Sequence, residues 1–304
     1  MSSAYHDGEK TVQLQAGKQF EAAQLSGMVR PTLTLAAKRF LESQSLAVAG
    51  TVDAVDRVWA SLLTGTPGFL RATTDELIQI NAEPIPDSPL KKALKTGTPC
   101  GLLVIDLASR VRLRLNGTAV QGPNDDIELT LLQVYFNCPQ YIQRRWIKTS
   151  CSEPEATVTA AAKALTPRQI QWISQADTFF ITSFHPESAC ADASHRGGFP
   201  GFVRVSNPST LIFPDYAGNN MFNTLGNIHL NPSTGLLFLD FEQGTTLQLT
   251  GKAEILWDTQ AKKEFVGAER VIQFQVHQVL EVSNATSLRW NFVDYSPYNP
   301  GIRN

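Results

Sequence analysis

Long apolar runs are missing from this chain. No stretch approaches the ~20 residues that a membrane-spanning helix needs, so no membrane partner is expected. Cysteine is scarce: Cys100, Cys138, Cys151 and Cys190 are scattered, with no CxxC pair and no metal-ligand spacing. That excludes a disulfide scaffold and a cysteine-held metal, and points to reduced, mostly buried thiols in a cytoplasmic protein. Excess charge is missing too. Lysine plus arginine number 26 against 28 acidic residues, a net charge of −2, so nucleic acid is not an expected partner. The first ten residues, MSSAYHDGEK, are polar and lack the apolar segment of a signal peptide. No metal site, nucleophile–base pair or P-loop is spelled out, and no catalytic residue is assigned.

What is present is the composition of a globular protein, 42% apolar and 18% charged, in 304 residues, enough for two domains. The halves resemble each other. SLAVAGTVDAVDRVWASLLTGTPGFLRA at 45–72 lies on TFFITSFHPESACADASHRGGFPGFVRV at 178–205 without a gap. RLRLNGTAV at 112–120 lies on TLQLTGKAEI at 246–255, with Gly117 on Gly251. The offset is 133 in the first block and 134 later, one inserted residue. A register kept over so many positions indicates duplication, with residues 1–151 and 166–304 as two domains and 152–165 as a linker. Alternating apolar residues predict strands at 110–115, 127–131, 246–249 and 272–276, and continuous apolar runs predict buried strands at 179–181 and 236–239. Helices are predicted at 33–42, at 168–175 behind Thr166 and Pro167, at 90–95 and at 219–230. The expected fold class is mainly β with flanking helices, a small antiparallel barrel made twice.

The runs DASHRGGFPGFVRV, LIFPDYAGNNMFNTLGNIHLNPSTGLLFLDF and LQLTGKAEI resemble the flavin-nucleotide-binding proteins related to pyridoxamine 5′-phosphate oxidase. FNCPQYIQRR at 136–145 and the segment from Leu288 to Pro300 resemble them as well. The resemblance implies tandem FMN-binding split β-barrels forming a pseudo-dimer, with FMN as cofactor. It also implies an oxidoreductase using a small-molecule substrate and a reduced nicotinamide, with pairing to a second chain left open. Haem, deazaflavin, or a carrier role without turnover are the alternatives that the superfamily offers. The substrate-phosphate residues of the oxidase itself have no clear match.

The residues agree with a phosphate site in the second half. Ser194, His195 and Arg196 precede Gly197, where backbone can approach a ligand. Pro214 and Asp215 lead a turn to Asn219 and Asn220, candidate caps of a helix whose first N–H groups favour anions. The basic residue that relatives often carry near Asn220 is absent, which leaves Arg196 as the main cation. In the first half Leu62 and Leu63 replace His195 and Arg196, and Asp87 stands where phosphate would be repelled. One flavin per chain is therefore expected. Trp59, Ser61 and Thr64 are candidates for its ring side or for a vestigial second site, and Tyr141 for its edge. Arg144 and Arg145 can equally be an exposed pair at a helix start.

Overall fold

The computed structural model describes residues 5–82, 85, 88–94, 97–124, 126–148, 156–159, 161–257 and 259–301. Cys151, Asp87 and residues 152–155 and 160 of the linker lie outside them. Three helices come first: α1 (Asp7–Gln15), α2 (Gln19–Leu25) and α3 (Leu35–Glu42). The first sheet follows as β1 (Leu46–Val52), β2 (Val58–Thr64), β3 (Leu70–Ala72), β4 (Leu77–Ile80), α4 (Pro89–Leu94), β5 (Thr98–Asp106), β6 (Val111–Gln121) and β7 (Ile127–Asn137). Then come β8 (Arg144–Lys148), β9 (Thr157–Val158) and α5 (Pro167–Gln175). The second sheet comprises β10 (Thr178–His185), β11 (Cys190–Gly197), β12 (Arg204–Asn207), β13 (Thr210–Tyr216), α6 (Asn223–Leu230), β14 (Ser233–Leu239), β15 (Thr246–Leu256), α7 (Thr259–Lys262) and β16 (Ala268–Ser283), and β17 (Arg289–Asp294) ends the chain.

The strand orders are β2-β1-β5-β6-β7-β4-β3 and β11-β10-β14-β15-β16-β13-β12. Replacing each strand by its partner in the repeat turns one order into the other, so a single antiparallel barrel topology is made twice. Even an irregularity recurs. The ladders shift register after Asn116 in β6 and after Thr250 in β15. A Cβ on the next residue would lie 1.9 Å from the Thr130 carbonyl oxygen at Gly117, and 2.0 Å from that of Gln275 at Gly251, so both bulges require glycine.

The ladders also correct the sequence register. Gly101 pairs with Gly50, but Gly235 pairs with Thr182, not Ser183. β1 therefore corresponds to β10 at an offset of 132, while β2 corresponds to β11 at 133. A residue is inserted in the second half's first hairpin as well as before β14, so the gapless match of 45–72 with 178–205 does not hold in its first strand.

Each barrel has its own core. Leu113, Leu115, Ile78 and Leu129 lie in the first, and Phe179, Phe213, Phe238 and Phe274 in the second. A third cluster joins them, with Val48, Leu62 and Leu103 from one half against Phe180, Ala193 and Leu237 from the other. Here Gly101 lies against the backbone of Asp192 and Gly235 against the Val58 carbonyl. The halves also join in a two-stranded ribbon, β8 with β17. The two barrels thus pair face to face within one chain.

Period-two alternation gives β6 two roles. Leu113 and Leu115 enter their own barrel, while Arg112, Arg114 and Asn116 face the other half. On β11 the alternating Asp192, Ser194 and Arg196 come to meet them.

Several local expectations change. The helix expected at 219–230 starts at Asn223, because Asn220 and Phe222 are both left-handed, at φ 57° and 61°. The linker contains β9, which pairs with β16 at Val158–Val282. Arg144 and Arg145 lie on a strand, and Arg145 is buried with both Asp177 oxygens on its Nη2, at 2.6 and 2.7 Å. The helix at 167–175 forms as predicted, with Thr166 and Gln169 as a capping box. No helix among the described residues is long and apolar enough to cross a membrane.

Candidate functional site

A cleft of about 840 Å³ opens where the halves meet. From the first half come Arg112 and Arg114 on β6, Asn137 and Cys138 at the end of β7, and Tyr141. From the second come Ser194, His195, Arg196 and Gly197 on β11, Pro214, Asp215 and Tyr216 on β13, and Arg270 on β16. The loop carrying Asn219 and Asn220 and the first turn of α6 close it.

Four guanidinium groups gather here, and the carboxylates divide unevenly among them. Arg114 is buried, with Nη1 2.7 Å from Asp192 Oδ1, and its Nη2 donates to Ser194 Oγ. Its Nη1 also donates to Tyr135 Oη at 2.8 Å. Arg270 holds Asp215 at 2.9 Å and Glu269 at 2.6 Å. Arg196 is left with the already engaged Asp215, 3.7 Å away. Arg112 has no carboxylate among the described residues. Its Nε donates to the Cys138 carbonyl at 2.9 Å and its Nη1 to the His195 carbonyl at 3.4 Å. Loss of water, then the neighbouring charges of Arg114 and Arg196, push the Arg112 pKa down to about 9. Burial also lowers that of Arg196. The cleft therefore carries uncompensated positive charge.

α6 adds to it. No side chain caps this helix, and its first residues Asn223, Thr224 and Leu225 line the cleft, so the positive end of the helix faces into it. Opposite, Tyr141 reaches across from the first half. Its hydroxyl donates to the Ala217 carbonyl at 2.8 Å, and its ring lies 5.2 Å from that of Tyr216.

Nine residues expected from the sequence meet around this cleft: Tyr141, Ser194, His195, Arg196, Gly197, Pro214, Asp215, Asn219 and Asn220. Their parts differ from expectation in places. Asn219 accepts from Met221 N at 3.1 Å in a turn and does not cap α6. His195 packs edge-on to Phe180, and neither ring nitrogen has a hydrogen-bond partner. Burial, followed by Arg112 and Arg196, holds it neutral, so it adds no positive charge. Asp215 lines the cleft as the counter-ion of Arg270.

Trp59 and Ser61 are not brought to the cleft. The Trp59 indole donates to Asp53 at 3.0 Å and borders a different cavity, near Gln278. Ser61 is buried with an unpartnered hydroxyl, and Thr64 pairs with Thr286 at 2.9 Å. Sequence reasoning missed Arg112, Arg114 and Arg270, which line the cleft together with Arg196. The repeat held the signal for two of them: Arg112 and Arg114 stand on Thr246 and Gln248, a charge difference at two alternate strand positions.

Residues 165–289 match the family model described as pyridoxamine 5′-phosphate oxidase. Among curated proteins none matches the chain. Among solved structures, HupZ of Group A Streptococcus is 15% identical, at a TM-score of 0.31 over 38% of this chain and 92% of its own. The FAD binding protein from Mycobacterium smegmatis is 13% identical, at 0.29 over 40% and 98%. A Clostridium acetobutylicum protein related to general stress protein 26, of the pyridoxinephosphate oxidase family, is 11% identical, at 0.27 over 40% and 89%. Each matches about two fifths of this chain. Over residues 165–289, which supply Ser194, Arg196, Asp215 and the start of α6, this protein is similar to the pyridoxamine 5′-phosphate oxidase family.

Proposed function

We propose that the cleft holds the phosphate of FMN and that the protein is a flavin-dependent oxidoreductase acting on a small molecule, with NADH or NADPH as electron donor. The observation that carries this reading is Arg112, a cation without a carboxylate partner among the described residues, beside Arg114 on β6 and close to Arg196 across the junction of the halves. A dianionic phosphate supplies the missing charge and accepts bidentate hydrogen bonds. When bound, the flavin supplies the redox chemistry. The chain's own residues hold and screen it: Arg112 and Arg196 fix the phosphate, the first turn of α6 adds its partial charge, and Tyr141 and Tyr216 wall the cleft. One site per chain follows, with cations drawn from both halves. The similarity to the pyridoxamine 5′-phosphate oxidase family supports a flavin in this place.

Visible absorbance and flavin fluorescence of the purified protein, titrated with FMN under anaerobic conditions and then given NADH or NADPH, test both parts. The expected result is a shifted flavin band on binding and bleaching on addition of one nicotinamide. No spectral change with FMN overturns the binding reading. Binding without bleaching by either donor overturns the nicotinamide-linked reaction and leaves a flavin carrier. A haem or deazaflavin band in the protein as purified replaces FMN by that cofactor.

A further inference from the structure

On the other side of Asn223 lies a second cavity, of about 560 Å³, and part of its wall is the N-terminal segment. His6 and Glu9 begin α1 with a reciprocal cap: Gly8 N donates to His6 Nδ1 at 3.2 Å and His6 N to Glu9 Oε2 at 2.8 Å. α1 packs on α6 with almost no space between. A Cβ on Gly8 would lie 2.3 Å from the Gly226 carbonyl oxygen, and one on Gly226 would lie 2.6 Å from Glu9 N. This close crossing presses Glu9, only 4% exposed, against the strands of the inter-barrel face.

The hydrogen-bond inventory of the cavity is lopsided. Three of its amide groups already donate within the protein. Asn223 Nδ2 donates to Glu9 Oε1 at 2.5 Å, Asn227 Nδ2 to Ser183 Oγ at 3.0 Å, and Asn116 Nδ2 to Gln133 Oε1 at 3.0 Å. His6 accepts at Nδ1 and meets Asn227 Oδ1 through Nε2 at 2.9 Å, so it is the neutral Nε2–H tautomer. The acceptors have capacity left. Asn116 Oδ1 has no partner although the residue is 2% exposed, and the carboxylates of Glu9 and Asp192 keep free lone pairs. Asp192 has Arg114 beside it, whereas among the described residues the basic group within salt-bridge distance of Glu9 is the neutral His6, at 3.5 Å. The complement of such a wall is a small group with several N–H donors and a positive charge.

We propose that this cavity binds a primary ammonium group, held by Glu9, Asp192 and Asn116. The site stands apart from the flavin reading, because neither Glu9 nor Asn116 lines the arginine cleft. Asn223 touches both: its Oδ1 accepts from Arg114 at 3.3 Å while its Nδ2 holds Glu9, so an ammonium-bearing ligand would lie next to whatever the cleft holds.

Ionisation of Glu9 sets the pH dependence. Burial raises its carboxyl to about 7, so the cation is bound more weakly at pH 6 than at pH 8. The other groups facing it are Tyr5 ahead of α1, Asp192 and Cys190 on β11, Arg114 on β6, Tyr135 on β7, and His6 with His185 stacked 4.1 Å from it. Burial lowers His6 to about 4 and raises Cys190 to about 12, so neither changes charge in that range. A Glu9→Gln variant, which keeps every other group, isolates the share of Glu9.

The test is calorimetric titration of the full chain with ethylammonium chloride at pH 8 and pH 6, against sodium acetate at equal ionic strength. The expected result is saturable binding of one ethylammonium and none of acetate. Glu9→Gln and Asn116→Leu are each expected to weaken it at least about tenfold, while Arg196→Ala in the neighbouring cleft leaves it within about twofold. Circular dichroism checks that each variant is folded, and if Glu9→Gln is not, Asn116→Leu decides. Absence of saturable ethylammonium binding overturns the site. So does equal binding of acetate, or binding that the folded variants leave unchanged.

Discussion

The twofold relation between the barrels carries each wall of the arginine cleft onto a wall on the opposite side of the molecule. The ladders give the correspondence. Ile105 pairs with Arg112 and Leu239 with Thr246; Leu103 pairs with Arg114 and Leu237 with Gln248. Across the outer hairpins Leu62 and Leu63 stand for His195 and Arg196, Ser61 for Ser194, and Trp59 for Asp192. Asp215, two residues beyond Phe213, is matched by Ala82, two beyond Ile80. Every charge named here is lost at the second location. There β9 runs along β16, and Ala162 bridges Val279.

The difference shows what the charges are for. The second location closes its share of the interface without them, using Leu62, Leu63, Thr246 and Gln248, all buried. Burying cations is costly, and geometry alone does not demand it here. Ser194 and Ser61 occupy the same position, yet Ser194 is bonded to Arg114 and Thr224 while the Ser61 hydroxyl has no partner. The uncharged location shows that the barrels can pair without such charges, which supports the proposed ligand role for them.

Exchanging residues between the two locations sharpens the contrast. The largest effect is expected from Arg114→Gln, which imports the residue at Gln248 and leaves Asp192 buried without its cation. A loss of about 3–5 kcal/mol in denaturant unfolding is expected, largely recovered when Asp192→Asn is added. Unchanged stability of the single variant would show that the pair is dispensable and would erase the distinction between the locations.

A smaller effect concerns α1, which covers only the charged side. The folded-state pKa of Glu9, near 7, lies above its ordinary 4.5. The folded protein therefore holds the proton more tightly, and wild-type stability falls as pH rises from about 4.5 to 7. Glu9→Gln lacks this penalty. Its melting temperature relative to wild type is expected to improve between pH 5 and pH 8, by the equivalent of about 2–3 kcal/mol. A pH-independent difference would place Glu9 outside a buried setting. The smallest effect is expected at the uncharged location, where Trp59→Phe removes the hydrogen bond to Asp53. A loss of about 1–2 kcal/mol in stability with FMN affinity unchanged is the expected outcome of denaturation and fluorescence titration. Weaker FMN binding would return Trp59 to the flavin site.

The twice-made strand order, the barrel class and most of the second-half wall were legible because they depend on local signals: alternating apolar residues, the turn at 214–220, and the SHRGG run. What was hidden depends on pairing between distant segments. Arg112 and Arg114 look like the solvent face of a half-exposed strand until the other barrel is placed over them. The polar first residues look like a surface tail, although Gly8 and Gly226 let α1 dock on α6. Trp59 and Ser61 misled because the repeat puts them level with Asp192 and Ser194, while the twofold sends them to the far side of the molecule. The helix start at Asn223 was obscured by two consecutive asparagines that cap well in other settings, but here precede a left-handed Phe222.

The central claim is that one charged cleft, built from both halves, holds one flavin. Its most direct test is the stoichiometry and affinity of FMN, measured by fluorescence titration of wild type and of Arg112→Thr, which imports the residue at Thr246. The account predicts one FMN per chain, and an affinity about 10–100-fold weaker in the variant, the loss of a charge-assisted contact worth about 1.5–3 kcal/mol, with folding retained. Two FMN per chain, or equal affinity in a folded Arg112→Thr protein, would contradict it.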